Sequence, residues 1–173
     1  MKKIIFYDRA KEMCEAWEKE FKDIEEVEVQ NIPFKDVKAK YVVTEGNSYG
    51  IMNEGTSKEV RDYFGVEMQD AIQEAIFFRR KKPLEVGKCL IMSTTDIDKS
   101  LLVYAPTMEE PQRINKLNVY DAMRGIMKMC YATSGDIAIC SLGTNDGISY
   151  EDSAMMCHKA YTKYLKHMVK KEY

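Results

Sequence analysis

Short runs of β-branched and aromatic residues alternate with helix-periodic segments along the whole chain, and this alternation restricts the fold more than any other feature. Residues 3–7 read as a strand, and Ala10, Met13, Cys14, Trp17 and Phe21 then recur at helical spacing on one face. Val27 and Val29 alternate with acids as a half-buried strand, Asn31-Ile32-Pro33 turns the chain, and 41–44 forms a buried strand. Thr56 or Ser57 is placed to cap a short helix that Gly65 ends. The next helix turns Met68, Ala71, Ile72, Ala75 and Ile76 inward, reaches Arg79-Arg80-Lys81-Lys82 and stops at Pro83. Further on, 87–93 and 101–105 read as strands, 114–131 as a helix with Val119, Met123, Ile126 and Cys130 inward, and 136–141 as the last strand. The final helix opens at Ser149, with Asp152 as its capping-box partner, and buries Ala154, Cys157, Tyr161, Tyr164, Leu165 and Met168. With no repeat and no long linker, the expectation is a single domain over 1–173. Its architecture should be a three-layer α/β/α sandwich around a central mixed, mostly parallel sheet, with 41–44 and 136–141 near the sheet centre.

Composition narrows the function classes. In 173 residues, 45% apolar side chains can build a substantial core, and a net charge of −2 supplies no basic face to neutralise a nucleic-acid duplex. A mononucleotide remains compatible, because backbone amides can hold a phosphate without basic side chains. Five cysteines without a C-x-x-C spacing read as small buried hydrophobes of a reducing compartment, and the twelve methionines as core gap-fillers. Arg79 to Lys82 suits the negative end of a helix dipole. No signal peptide or membrane span is visible, so a cytoplasmic location is expected.

Two loops carry the chemistry. The strand at 41–44 breaks into Glu45-Gly46-Asn47-Ser48-Tyr49-Gly50-Ile51-Met52-Asn53-Glu54-Gly55, where glycines permit close approach and Asn and Ser offer both donors and acceptors. Between the last strand and last helix lies Ser141-Leu142-Gly143-Thr144-Asn145-Asp146-Gly147, whose amides can converge on a diphosphate. Two such loops at strand carboxyl ends can wall one cleft. Gly46-Asn47-Ser48-Tyr49-Gly50 also spells G-x-S-x-G, but a nucleophile elbow needs a helix directly after the serine, and Asn53, Glu54 and Gly55 oppose that. His158 and His167 share one helix without a ligand set around them, so no metal site is expected, nor a cofactor.

The residues resemble the macro domain family, the ADP-ribose-binding module. Val43-Thr44-Glu45-Gly46-Asn47-Ser48 is similar to its V-N-A-A-N-S motif, and 45–55 to the P-A-N-S-F-G-F-M-D-G-G run of macro-domain-like proteins from phages and bacteria. Val86-Gly87-Lys88, Tyr104-Ala105-Pro106-Thr107-Met108 with Pro111, Asn118-Val119-Tyr120, Arg124 and Leu142-Gly143-Thr144 match in order. The resemblance implies that Asn47 holds the distal ribose, that Asn31 takes the place of the family's adenine-reading Asp, and that 141–147 holds the diphosphate. The chain departs from the pattern at Ser141 and Asn145, each in place of a glycine, and at Glu54, which puts a carboxylate in a phosphate-facing loop.

The expected site therefore comprises Asn31, Gly46, Asn47, Ser48, Asn53, Gly55, Ser141, Leu142, Gly143, Thr144, Asn145, Asp146 and Gly147. Its expected occupant is ADP-ribose or a related NAD-derived nucleotide. The alternative is a hydrolase that removes ADP-ribose from a protein, nucleic acid or metabolite, with Glu54 or Asp146, and more loosely Glu45, as the carboxylate that activates water. A further expectation concerns Gly143: a valine there should fill the ligand's approach path and leave stability almost unchanged.

Overall fold

The computed structural model describes residues 2–169, the side chains of 166–169 excepted, so Met168 and His167 lie outside the residues described at side-chain level. Six strands form one sheet in the order β2-β1-β6-β3-β5-β4. They are β1 (Ile4–Tyr7), β2 (Val27–Gln30), β3 (Tyr41–Asn47), β4 (Leu90–Ser93), β5 (Leu101–Met108) and β6 (Ile137–Cys140). All pairings are parallel except β4 with β5, at one edge, and β6 and β3 lie together at the centre.

Side-chain alternation along β1 shows how the layers are filled. Phe6 stacks on Trp17 and meets Phe21 of helix α1 (Lys11–Phe21), and Phe21 meets Tyr161 of α5 (Tyr150–Val169). The next residue, Tyr7, points to the opposite face, toward Phe34, whose ring contacts Tyr63 and Phe64 of α2 (Gly55–Phe64). Helix α4 (Lys116–Tyr131) packs on α5 and β5, on the Phe6 side. Four cysteines are buried and Cys89 is partly so, all free thiols. Among the described residues no helix is long and apolar enough to cross a membrane.

Several boundaries differ from the sequence reading for identifiable reasons. Strand β3 runs on to Asn47 because the hydroxyl of Tyr104 clamps its end, accepting from the Asn47 N–H at 3.0 Å and donating to the Asn47 carbonyl at 2.8 Å. Strand β5 continues through Pro106 because β4 pairs only with residues up to Tyr104, so the missing N–H costs no bond on that side. Residues 86 and 87 form a turn, 88 and 89 are irregular, and only Leu90–Ser93 forms the strand at that edge. Neither Thr56 nor Ser57 caps α2: its N-cap is Glu54, and both lie in the first turn, where the Ser57 hydroxyl donates to the Glu54 carbonyl at 2.7 Å. The following helix, α3 (Val66–Glu74), widens into a π-helical turn over Ala75–Arg80 and ends at Lys81 in the left-handed region, φ 61°, two residues ahead of Pro83. At α5 the Ser149 hydroxyl accepts from the Asp152 N–H at 3.1 Å, as its capping role requires.

Candidate functional site

The chain leaves β1 toward one edge of the sheet and β3 toward the other, with β6 inserted between them. The crevice outside the carboxyl ends of these strands is where such sheets take ligands. A two-part cleft opens there. One half, of about 530 Å³ counted out to open solvent, is walled by the 45–55 loop, by Thr107 and Met108 at the end of β5 and Pro111 beyond it, and by Asn145 and Asp146. The other, of about 590 Å³, lies over the ends of β1 and β6, with Ile32, Pro33, Phe34 and Tyr150 as its apolar surfaces and Ser141 and Thr144 at its polar edge. Gly55 and Asn145 line both. The Asn145 amide lies against Gly55 where a side chain would otherwise project, so the two halves meet at a narrow waist.

Glu45 forms the floor. It is 5% exposed; its Oε2 accepts from the Gly143 N–H at 2.8 Å and its Oε1 from the Asn145 amide at 3.5 Å. Burial raises this carboxyl to about 7 against the opposing pull of the Gly143 N–H. Asp146, partly buried, is raised to about 6 by desolvation and then by the charge of Glu54. Two carboxyls that titrate close to neutrality therefore sit in one half of the cleft.

The expected site residues divide into two groups. Gly46, Asn47, Asn53, Gly55, Ser141, Thr144, Asn145 and Asp146 line the cleft, as does Glu54. Asn47 faces it with its amide engaged in its own loop: Oδ1 accepts from the N–H groups of Tyr49 and Ile51, and Nδ2 donates to the Ile51 carbonyl at 2.9 Å. Asn53 accepts from Arg61 at 2.6 Å. The other five do not line it. Asn31 donates to the carbonyls of Asp8 and Arg9, each at 2.9 Å, which fixes the β1 end. Ser48 is buried and its hydroxyl donates to the Met108 carbonyl, which is no place for an elbow nucleophile. Leu142 belongs to the core, and its carbonyl accepts from Ser153. Gly147 lies beside the Arg113 side chain.

Gly143 corrects the expectation attached to it. At φ 78° its missing Cβ would lie 2.8 Å from Val119 Cγ2 and 3.0 Å from Ile114 Cδ1, so that face looks into the core and not into a ligand's path. His158 is likewise occupied structurally, edge-on against Phe21 and 3.7 Å from Glu20. Residues absent from the sequence-based site include Arg9, Ile32, Pro33, Ser57, Thr107, Met108, Pro111 and Tyr150. Thr107, Met108 and Pro111 stood in a run already matched to the family, which was the available signal; nothing local marks Tyr150, which the fold of α5 brings to the cleft.

A doubly wound sheet with a bipartite cleft at its strand ends, walled by glycine- and asparagine-bearing loops, defines a ligand-binding α/β/α domain. The family model for the Macro domain matches residues 43–157, more than half of the chain, and the chain belongs to that family. Among solved structures it is similar to the macrodomain of Mycobacterium tuberculosis DarG, with a TM-score of 0.64, 18% identity and coverage of 75% of this chain and 85% of that one. It is also similar to Thermosipho africanus DarTG in complex with ADP-ribose, with a TM-score of 0.59, 15% identity and coverage of 91% of this chain and 50% of that one. An uncharacterized protein of Aeropyrum pernix is 32% identical over 94 residues, covering 54% of this chain and 47% of the relative, so the match spans about half of that protein.

Proposed function

We propose that the cleft binds ADP-ribose or a related NAD-derived nucleotide, with one ligand lying across both halves. The single observation that carries this reading is the shape of the cleft: two cavities at adjacent strand ends, joined at the Gly55 and Asn145 waist. The base packs on Ile32, Pro33 and Tyr150, the diphosphate crosses the waist between the start of α2 and the 141–147 loop, and the distal ribose enters the half floored by Glu45. The ADP-ribose held by the DarTG neighbour supports the choice of nucleotide. Asn145 must swing aside for the diphosphate, and its one weak side-chain bond, 3.5 Å to Glu45, makes that a small cost. Titration calorimetry tests the reading. ADP-ribose should bind at least about tenfold more tightly than AMP or ribose 5-phosphate, since each of these fills one half, and tenfold corresponds to about 1.4 kcal/mol. Equal affinity for all three would contradict it.

Hydrolysis of an ADP-ribosyl bond is a second reading, favoured by the raised carboxyls of Glu45 and Asp146. On this reading Asp146, with Glu54 beside it, is the group that activates water. Release of free ADP-ribose from an ADP-ribosylated protein, lost in Asp146→Asn, would support it, and no release by the wild type would remove it.

A further inference from the structure

The two halves of the cleft differ in charge. The half over β1 is lined by Asp8 and Glu59 together with one cation, Arg9, held 2.7 Å from Glu59. Three acidic side chains, Glu45, Glu54 and Asp146, line the other half, and among the described residues no Lys or Arg lines it.

Thr107 adds an independent observation. It is wholly buried and lines this acidic half, yet among the described residues its hydroxyl has no hydrogen-bond partner. Between Gly46↔Pro106 and Asn47↔Met108 it is the extra residue of a bulge in the β3–β5 pairing. A buried hydroxyl left unpaired beside an open cavity is a place for a ligand's polar group.

The Gly143 N–H, next to the floor, is already given to Glu45. A phosphate or carboxylate entering this half would meet the acidic side chains of Glu45, Glu54 and Asp146 in partly desolvated surroundings, and each that is ionised repels it. An N–H-bearing cation would find carboxylate oxygens and the Thr107 hydroxyl as acceptors.

Resting on the ADP-ribose reading above, we propose that the half lined by Glu45, Glu54, Asp146 and Thr107 is a specificity subsite. It takes a cationic nitrogen group with N–H donors, a guanidinium in the simplest case, carried on the anomeric carbon of the distal ribose, and it rejects a phosphate there.

Three probes test this by titration calorimetry: ADP-ribose, ADP-ribose 1″-phosphate, and ADP-ribose N-linked through its anomeric carbon to a guanidinium. The guanidinium conjugate should bind at least about tenfold more tightly than ADP-ribose and the 1″-phosphate at least about tenfold more weakly, each a difference of about 1.4 kcal/mol. The spread should shrink with added salt and collapse in the Glu54→Gln/Asp146→Asn double variant. Thr107→Val should reduce the guanidinium preference with the carboxylates intact. A flat or inverted ranking, with ADP-ribose still bound, overturns this inference alone. Failure of all three probes to bind overturns it together with the ADP-ribose reading.

Discussion

Glu45 is the residue on which the chemistry of the cleft turns. It stands where the family's V-N-A-A-N-S run has a small residue, and the fold accommodates it by turning its carboxyl onto the Gly143 N–H. An acid whose folded pKa exceeds its unfolded value binds more protons when folded, so its contribution falls as pH rises through the interval between the two. For Glu45 that interval runs from its ordinary 4.5 to about 7, and Asp146 adds a smaller effect of the same sign between 3.8 and about 6. Glu45→Gln keeps an oxygen for Gly143 and removes the titration. The variant should lose most of the decline in stability over this range and be more stable than wild type above pH 7, by about 3 kcal/mol. Chemical denaturation at a series of pH values measures this; parallel curves for the two proteins would show that Glu45 does not titrate in the fold.

At the scale of elements, the two loops play less similar roles than their composition suggests. The loop after β3 is held from within, with Asn47 as its staple and Tyr104 clamping the strand end, and so presents Asn53, Glu54 and Gly55 from a fixed base. The loop after β6 is held from behind: Gly143 lies over Val119, Ile114 and Ile148 of the core. Gly143→Val should therefore destabilise the protein by about 3 kcal/mol, combining overpacking with a β-branched residue in left-handed backbone. Thermal unfolding checks this, and a melting temperature within about 2 °C of wild type would contradict it. Strand and helix periods made β1, β3, β6, α1 and α4 legible in the sequence, since each follows from local alternation. The extension of β3 and the widening of α3 were not, because the first depends on a hydroxyl 57 residues away and the second on how the chain closes before Pro83.

For the whole molecule, the sheet order explains both what the sequence showed of the site and what it hid. Glycine and asparagine punctuation after two strands pointed to the cleft, and parallel pairing of β3 with β6 places those strand ends side by side. Composition cannot tell which side chains face the cleft and which serve the scaffold: Asn31 and Ser48 bond backbone carbonyls, while Thr107, marked only by the family run around it, and Tyr150, unremarkable in the sequence, line it. A single nucleotide that spans both halves across the waist must perturb both at once. Amide chemical-shift mapping during a titration with ADP-ribose tests this most directly. Concerted shifts are expected at Ile32 and Tyr150 in one half, Gly55 and Asn145 at the waist, and Asn53 and Thr107 in the other, saturating with a single dissociation constant. Shifts confined to one half, or saturating separately in the two, would contradict it.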